Sequence, residues 1–532
     1  MTATILRTPP DPPNTRWRSA LSGKGVSQLR ALLVPILALT LVAYFAGTQL
    51  SNWPDRLRYP GEEDAAEGTQ LSEMLHLRGG VQIYRIPSNG EFDSAIYGPF
   101  YYLSGAAVVD PKKPAYAPLR VLSLMATVGL AVASAFLAFR LARSKIACLL
   151  SALLLLGTAF IGRYGISARA DMVALLLTFA GFLVFYSFRD SRRALILSAA
   201  LMLTGFFYKQ QFVGAPIAVF LYLIIDKRFR QALDFVTTMV VGGLSLAVAF
   251  SVLIFPHQAF LSHFVSYNRL PFDEHILLPE ILMFAIPLFI PLLGSIDFLT
   301  RYPDKLVSCY VGAAVASYFV LLFSSGSGAD TNRCLEPLAV LSCVFAARVV
   351  TSDGILAGLG WTLPLAATFV LVSLLSSAFV VPHIRPTDFA TDSALQSYLR
   401  ENFPPGTSTL CYYAGDPVRA GLNVPVTNLW GYSALIREGT LSDRGIVSRI
   451  GNGGYGVILL DFDLGRFNAS KIADFYTTRP MREAILGSYR KVARLGLPRP
   501  ETSRSTDGNI YVWVPKATSR SAPELDEGSS KK

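Results

Sequence analysis

Residues 117–139 read APLRVLSLMATVGLAVASAFLAF, and the next six residues supply Arg140, Arg143 and Lys145. A run this long and apolar is a helix that crosses a hydrocarbon core of roughly 30 Å. It must be helical, because lipid offers no partner for its backbone N–H and C=O groups. The cations that close it mark the cytoplasmic side.

Working outward, the same pattern recurs at about eleven places, near 31–50, 117–139, 146–163, 171–188, 194–208, 212–226, 232–255, 278–299, 306–323, 334–350 and 355–380. Composition agrees. Of 532 residues, 52% are hydrophobic and 16% charged, against roughly 25% charged in an average soluble domain. One soluble core could not bury that much apolar surface. The net charge of +11 does not point to nucleic acid, since the basic residues sit at the ends of apolar runs rather than in a stripe with interleaved aromatics. Five cysteines without CxxC spacing exclude a disulfide framework and a zinc site of that type.

Alternate loops carry the cations: the arm 1–30, then Arg140, Arg143 and Lys145, then Arg189, Arg192 and Arg193. Lys227, Arg228 and Arg230 follow, then Arg301 and Lys305, and lastly Arg348. This predicts a multi-pass protein of the cell inner membrane with a cytoplasmic N-terminus. The loop 51–116 and the chain beyond 381 then lie on the periplasmic side. Residues 381–516 contain strand-like runs at 407–413, 455–460 and 509–514 and a helical pattern at 470–495, as expected of a small α/β domain. The polar end from Ala517 is expected to be disordered.

Polar groups at the outer boundary are the functional candidates. The first outer loop holds Glu62, Glu63, Asp64 and Glu67 within Pro60-Gly-Glu-Glu-Asp-Ala-Ala-Glu-Gly-Thr69. An amphipathic stretch with Leu71, Met74, Leu75 and Leu77 follows, expected to lie at the membrane interface with a Tyr-rich belt behind it. A carboxylate fixed at the mouth of a membrane cavity suits removal of a proton from an acceptor hydroxyl. Complementary cations sit at the other outer boundaries. Arg169 and Asp171 open the fourth span, Lys209 follows the fifth, Arg269 precedes the eighth, and Asn332 and Arg333 precede the tenth. Arg binds a phosphate bidentately and Lys binds it as a point charge. The five histidines lack metal-ligand spacing. Asn468-Ala-Ser470 matches a glycosylation sequon, a weak signal.

These elements, in this order, resemble the membrane glycosyltransferases of the GT-C fold. The resemblance is to the bacterial glycosyltransferase 39 branch, with its protein O-mannosyltransferase-like and aminoarabinose transferase-like enzymes. It covers about residues 31 to 350. The acidic motif is followed by Gly80-Val-Gln-Ile-Tyr84, then by Tyr97-Gly-Pro-Phe-Tyr101, then by the Arg169-x-Asp171 and Lys209-Gln210 pairs. Relatives often carry Asp-Glu-Gly or Gly-Glu-Gly in the first motif, where this chain has Ala66-Glu67-Gly68. The resemblance implies an all-α, GT-C-like transmembrane domain over 31–380 that moves one sugar from a polyprenyl-phosphate donor to a hydroxyl on a glycan, lipid or protein, with inversion. It ranks Glu67 first as base, then Asp64, then Glu63, with Asp171 assisting. Arg169, Lys209, Arg269 and Arg333, with Asn332, Tyr97 and Tyr84, are the implied substrate contacts. Some relatives use a divalent cation, though nothing in this sequence requires one. A transporter or lipid flippase is the main rival expectation, with paired broken helices and midplane charges as its mark; a scaffold whose outer tail binds envelope components is a second.

Overall fold

The computed structural model describes residues 23–255, 259–268, 272, 274–323, 331–351, 360–361, 364–365, 383–467, 474, 476–497 and 508–516. The apolar runs become helices α1 (Gly23–Ser51), α5 (Ala117–Ala142), α8 (Asp171–Ser187), α9 (Arg192–Tyr208), α10 (Gly214–Ile225), α11 (Phe229–Val248), α12 (Glu274–Arg301), α13 (Lys305–Phe323) and α14 (Leu335–Val350). The outer loop adds α2 (Trp53–Arg58), α3 (Ala65–Arg78) and α4 (Pro99–Val108).

Among the described residues, three helices are long and apolar enough by themselves to cross a membrane: α5, α13, and α11 with its wider-wound extension to Ile254. The predicted number of eleven is therefore not reproduced by this measure. The expected span at 355–380 lies largely outside the described residues. The expected span at 146–163 is broken. It divides into α6 (Lys145–Leu156) and α7 (Ala159–Tyr164), because Thr158 caps a new helix by accepting the Ile161 N–H. Gly157 at the break sits so close to α1 that an added Cβ would stand 3.3 Å from the Ala46 nitrogen.

The two ends of the bundle carry different chemistry. At one end Arg189 pairs with Asp304, Arg192 with Asp234, Arg228 with Asp190 and Asp226, and Lys305 with Asp226. Asp297 there pairs with both Arg301 and Arg348. These are the loops assigned to the basic side, tied together by ion pairs. Asp171 and Arg189 flank α8, and Lys209 and Arg192 flank α9, so Asp171 and Lys209 stand at the opposite end. At 1.5 Å per residue, 17-residue α8 separates those ends by roughly 25 Å.

Beyond residue 383 the chain forms a four-stranded sheet in the order β1-β2-β4-β3, with β1 (Thr409–Cys411) parallel to β2 (Val457–Leu460). Strands β3 (Tyr489–Gly496) and β4 (Asn509–Pro515) complete it in antiparallel fashion. The helix expected over 470–495 is shorter, α18 (Arg479–Ser488). From Tyr489 the run YRKVARLG places Tyr489 and Ala493 inward and Arg490, Lys491, Val492 and Arg494 outward or partly so, and it pairs with β4 instead. Packed on this sheet are α15 (Pro386–Asn402), α16 (Leu429–Arg437) and α17 (Arg444–Gly451).

Candidate active site

Two buried arginines organise the first outer loop. Arg56 donates from Nε to Glu63 Oε1 at 2.8 Å and from Nη2 to Glu63 Oε2 at 2.5 Å, and it also donates to the Gly162 and Arg163 carbonyls. Arg120 donates to Glu67 from Nε at 3.2 Å and from Nη2 at 2.6 Å, and to the Arg56, Tyr59 and Gly61 carbonyls. A buried charge is tolerable only when paired and hydrogen-bonded in this way. Neither arginine figured among the sequence candidates. The signal for Arg120 was present, since it is a lone cation one turn into a long apolar run.

Glu67 is consequently a filled carboxylate. Besides Arg120 it accepts the Ala168 N–H at 2.6 Å and the Glu63 N–H at 2.9 Å, and it has no exposed surface. Glu63 is likewise occupied by Arg56 and buried. Asp64 differs. Its Oδ1 caps α3 by accepting the Glu67 N–H at 3.1 Å, while Oδ2 faces Arg169 Nη1 at 3.3 Å, and 31% of the side chain remains exposed.

Around Asp64 the predicted residues converge. Arg169 Nε reaches Asp171 Oδ2 at 3.3 Å and its Nη2 lies 3.5 Å from the Tyr97 hydroxyl. Lys209 Nζ donates to Asp171 Oδ1 at 2.5 Å and lies 4.9 Å from the centre of the Tyr97 ring. Asp171, fully buried, thus holds both cations. The Arg169 guanidinium stands 5.1 Å over the Tyr164 ring, and the Tyr164 hydroxyl bonds Thr331 Oγ1 at 2.9 Å. That contact brings in the turn Thr331–Cys334, with Asn332 and Arg333 both buried. Glu336, one turn on, accepts the Gly214 and Ala215 N–H groups at 3.0 and 2.9 Å and so ties this turn to the start of α10 just beyond Lys209.

One expected contact, Tyr84, stands behind the site, and another is not among the described residues. Tyr84 is buried among Tyr102, Phe255, Phe260 and His263, and its hydroxyl donates to the Tyr97 carbonyl at 2.7 Å. It positions Tyr97 from behind rather than facing the site. Arg269 lies outside the described residues, as does the Asn468 sequon. Nor does α3 lie at a surface: Glu67, Thr69, Gln70, Ser72 and Glu73 are buried along with Leu71 and Met74. Its polar side is covered by the C-terminal domain. Thr69 Oγ1 donates to the Thr427 carbonyl at 2.9 Å, and Arg419 donates to the Pro60 carbonyl. A Cβ added to Gly68 would stand 2.5 Å from the Gly415 nitrogen. The acid loop is therefore gripped between bundle and C-terminal domain. Among the described residues, no group of three or more His, Cys, Asp or Glu side chains is placed to hold a metal ion.

No protein-family model matches the sequence. No curated protein sequence matches it either. Solved structures do match in shape. ArnT from Cupriavidus metallidurans bound to undecaprenyl phosphate superposes with a TM-score of 0.56 over 89% of this chain and 97% of its own, at 13% identity. The chain has the GT-C fold. The apo state of the same ArnT matches at a TM-score of 0.54 and 12% identity over 79% of this chain and 92% of its own. At such identity the likeness concerns architecture, and the GT-C assignment from short, ordered motifs agrees with it.

Proposed function

We propose that this chain is a membrane glycosyltransferase that moves a sugar from a polyprenyl-phosphate donor to a hydroxyl acceptor on the periplasmic face of the inner membrane, with Asp64 as the base. The observation that carries the reading is the Asp64–Arg169–Asp171–Lys209 chain at one end of the bundle, in which Asp64 is the one carboxylate with an open side. A structural neighbour is described as binding undecaprenyl phosphate, a ligand of the class that two adjacent cations in a membrane-boundary pocket would hold.

In this mechanism the donor phosphate lies against Arg169 and Lys209, with Arg333, Asn332 and Arg269 as further contacts. The acceptor O–H gives its proton to Asp64, and its oxygen forms a bond to C1 of the sugar. The bond from C1 to the phosphate oxygen breaks with its electron pair passing to the polyprenyl phosphate, so C1 inverts. Preorganised cations aimed at the departing negative charge supply the larger electrostatic stabilisation. Asp171 holds the two cations in place, and Glu67 fixes the Ala168–Arg169 backbone through the Ala168 N–H. The acceptor is a glycan, a lipid or a protein.

The test is reconstitution in liposomes with labelled polyprenyl-phosphate sugars and an envelope extract from cells lacking this chain. The parent is expected to transfer label and Asp64→Asn to lose it. Equal turnover by the two proteins would end the proposal for Asp64.

A further inference from the structure

Helix α5 starts at the acid loop with Arg120 and ends, roughly 30 Å away, at the basic end of the bundle with Arg140. One of its faces is packed, with Leu119, Ala126, Leu130, Ser134 and Leu137 buried. Another is open. Val121, Met125, Val128, Val132 and Phe136 are exposed, at three- and four-residue spacings that place them on one stripe. That stripe runs into Arg140, one turn beyond Phe136, and then into Arg143 and Lys145 at the turn to α6. Arg140 is half-buried, its guanidinium 5.8 Å from the centre of the Phe136 ring and 5.5 Å from that of Tyr186. Arg143 and Lys145 are exposed.

Three neighbouring turns at this end carry acids: Asp190, Asp226 and Asp304 pair with Arg189, Arg228 and Lys305. The α5–α6 turn carries none, and among the described residues Arg140, Arg143 and Lys145 have no carboxylate partner. Lys145 opens α6, where the helix dipole is positive and a further cation is unfavourable. Arg143 closes α5 with a φ of 52°, in the left-handed region that glycine adopts at lower cost. An anion among the three cations would relieve this concentration of charge, and the adjoining stripe indicates what the anion is attached to. From Val128 to Arg140 the helix advances about 18 Å, close to the roughly 15 Å of hydrocarbon in one leaflet. We propose that the Arg140–Lys145 turn and the α5 stripe form a binding site for an anionic phospholipid of the leaflet at the basic end. The three cations hold its phosphate, and one acyl chain lies along Val128, Val132 and Phe136. Cationic pockets between helices at that side of a membrane suit such headgroups.

The test is native mass spectrometry of the full chain in detergent, titrated with dioleoylphosphatidylglycerol or with zwitterionic dioleoylphosphatidylcholine. Each cation beside a lipid phosphate contributes roughly fivefold in affinity. The triple variant Arg140→Gln, Arg143→Gln, Lys145→Gln is expected to bind phosphatidylglycerol at least about tenfold more weakly than the parent. Its binding of phosphatidylcholine should match the parent. A comparison triple, Arg193→Gln, Lys227→Gln, Arg230→Gln, removes three exposed cations from the same end and should keep the parent's affinity for both lipids. Inorganic phosphate at millimolar concentration should not displace phosphatidylglycerol, because it makes no use of the apolar stripe. If the first triple fails to fold, Arg143→Gly decides. That change suits the backbone at 143, so it is expected to fold as the parent does and to lose phosphatidylglycerol affinity severalfold. Equal losses in the two triples, unchanged affinity in a folded Arg143→Gly, or displacement by inorganic phosphate would overturn the assignment.

Discussion

Asp64 and Glu67 are three residues apart and share the same helix start, yet their surroundings give them different work. Glu67 has four hydrogen-bond donors on its two oxygens and no exposed surface, so an acceptor hydroxyl cannot reach it. Asp64 keeps an open side and one 3.3 Å contact to a cation. Proton transfer by a positioned group contributes roughly 10²- to 10⁴-fold. Asp64→Asn should therefore lower kcat by about that factor, with the melting temperature of the detergent-solubilised protein nearly unchanged. Glu67→Gln should do the reverse in character. It leaves Arg120 as an uncompensated buried charge, which costs about 3–5 kcal/mol, so lower expression and a lower melting temperature are expected before any kinetic effect is read. A Glu67→Gln protein as stable as the parent would remove Glu67 from the frame. The sequence made the acid motif and four of its partners legible, because Tyr97, Arg169, Asp171 and Lys209 follow motif order. It could not show which of the three acids stays open, since what separates them is which ones Arg56 and Arg120 claim, through contacts between residues up to 53 positions apart.

At the scale of the element, α3 is buried on more than one face. Its hydrophobic face packs inward while its polar face is covered by the C-terminal domain. Glu73 on that face accepts from Ser94 Oγ, the Ala95 N–H and Thr427 Oγ1. Burial, with Asp93 nearby, pushes its carboxyl from an ordinary 4.5 up to about 7. The folded chain then holds a proton, between pH 4.5 and about 7, that the unfolded chain has released. Stability must fall as pH rises through that window and level off above it, by at most a few kcal/mol. His76 adds the same sign: burial opposes its charge, but the 2.8 Å bond to Asp93 outweighs burial and its value ends up raised. Its contribution is therefore present at low pH and lost as pH climbs. A melting temperature higher at pH 5 than at pH 8, with a flatter profile in Glu73→Gln, is the expected result; a parent profile that rises toward pH 8 would contradict it. The element scale is also where periodicity misleads. Residues 146–162 are apolar apart from Ser151 and Thr158, so hydropathy does not register the break at Gly157 and Thr158. In 470–495 the switch to strand at Tyr489 is enforced by pairing with β4, a partner some twenty residues later in the chain.

For the molecule as a whole, the decisive property is that its charges are sorted to two ends. The basic loops are cross-linked to one another by Asp190, Asp226, Asp234, Asp297 and Asp304, whereas the acids and cations of the candidate site meet at the opposite ends of the same helices. Hydropathy and the spacing of Lys and Arg were enough to foresee this division, because both depend on local composition. The docking of the C-terminal domain onto the acid loop was not foreseeable, since it depends on glycine-to-glycine contact and single hydrogen bonds between residues more than 340 positions apart. Sidedness has a direct test. With the five free cysteines replaced, single cysteines at the exposed positions Lys112 and Asn452 should react with an impermeant maleimide added to intact spheroplasts. A cysteine at Arg192, whose side chain is 74% exposed at the other end, should react only after the membrane is opened. Because α9 joins Arg192 to Lys209 without a break, labelling of 112 and 192 from one side would place the acid loop and Lys209 across the bilayer from each other. No shared pocket, and no transfer between a donor phosphate and a hydroxyl held there, could survive that arrangement.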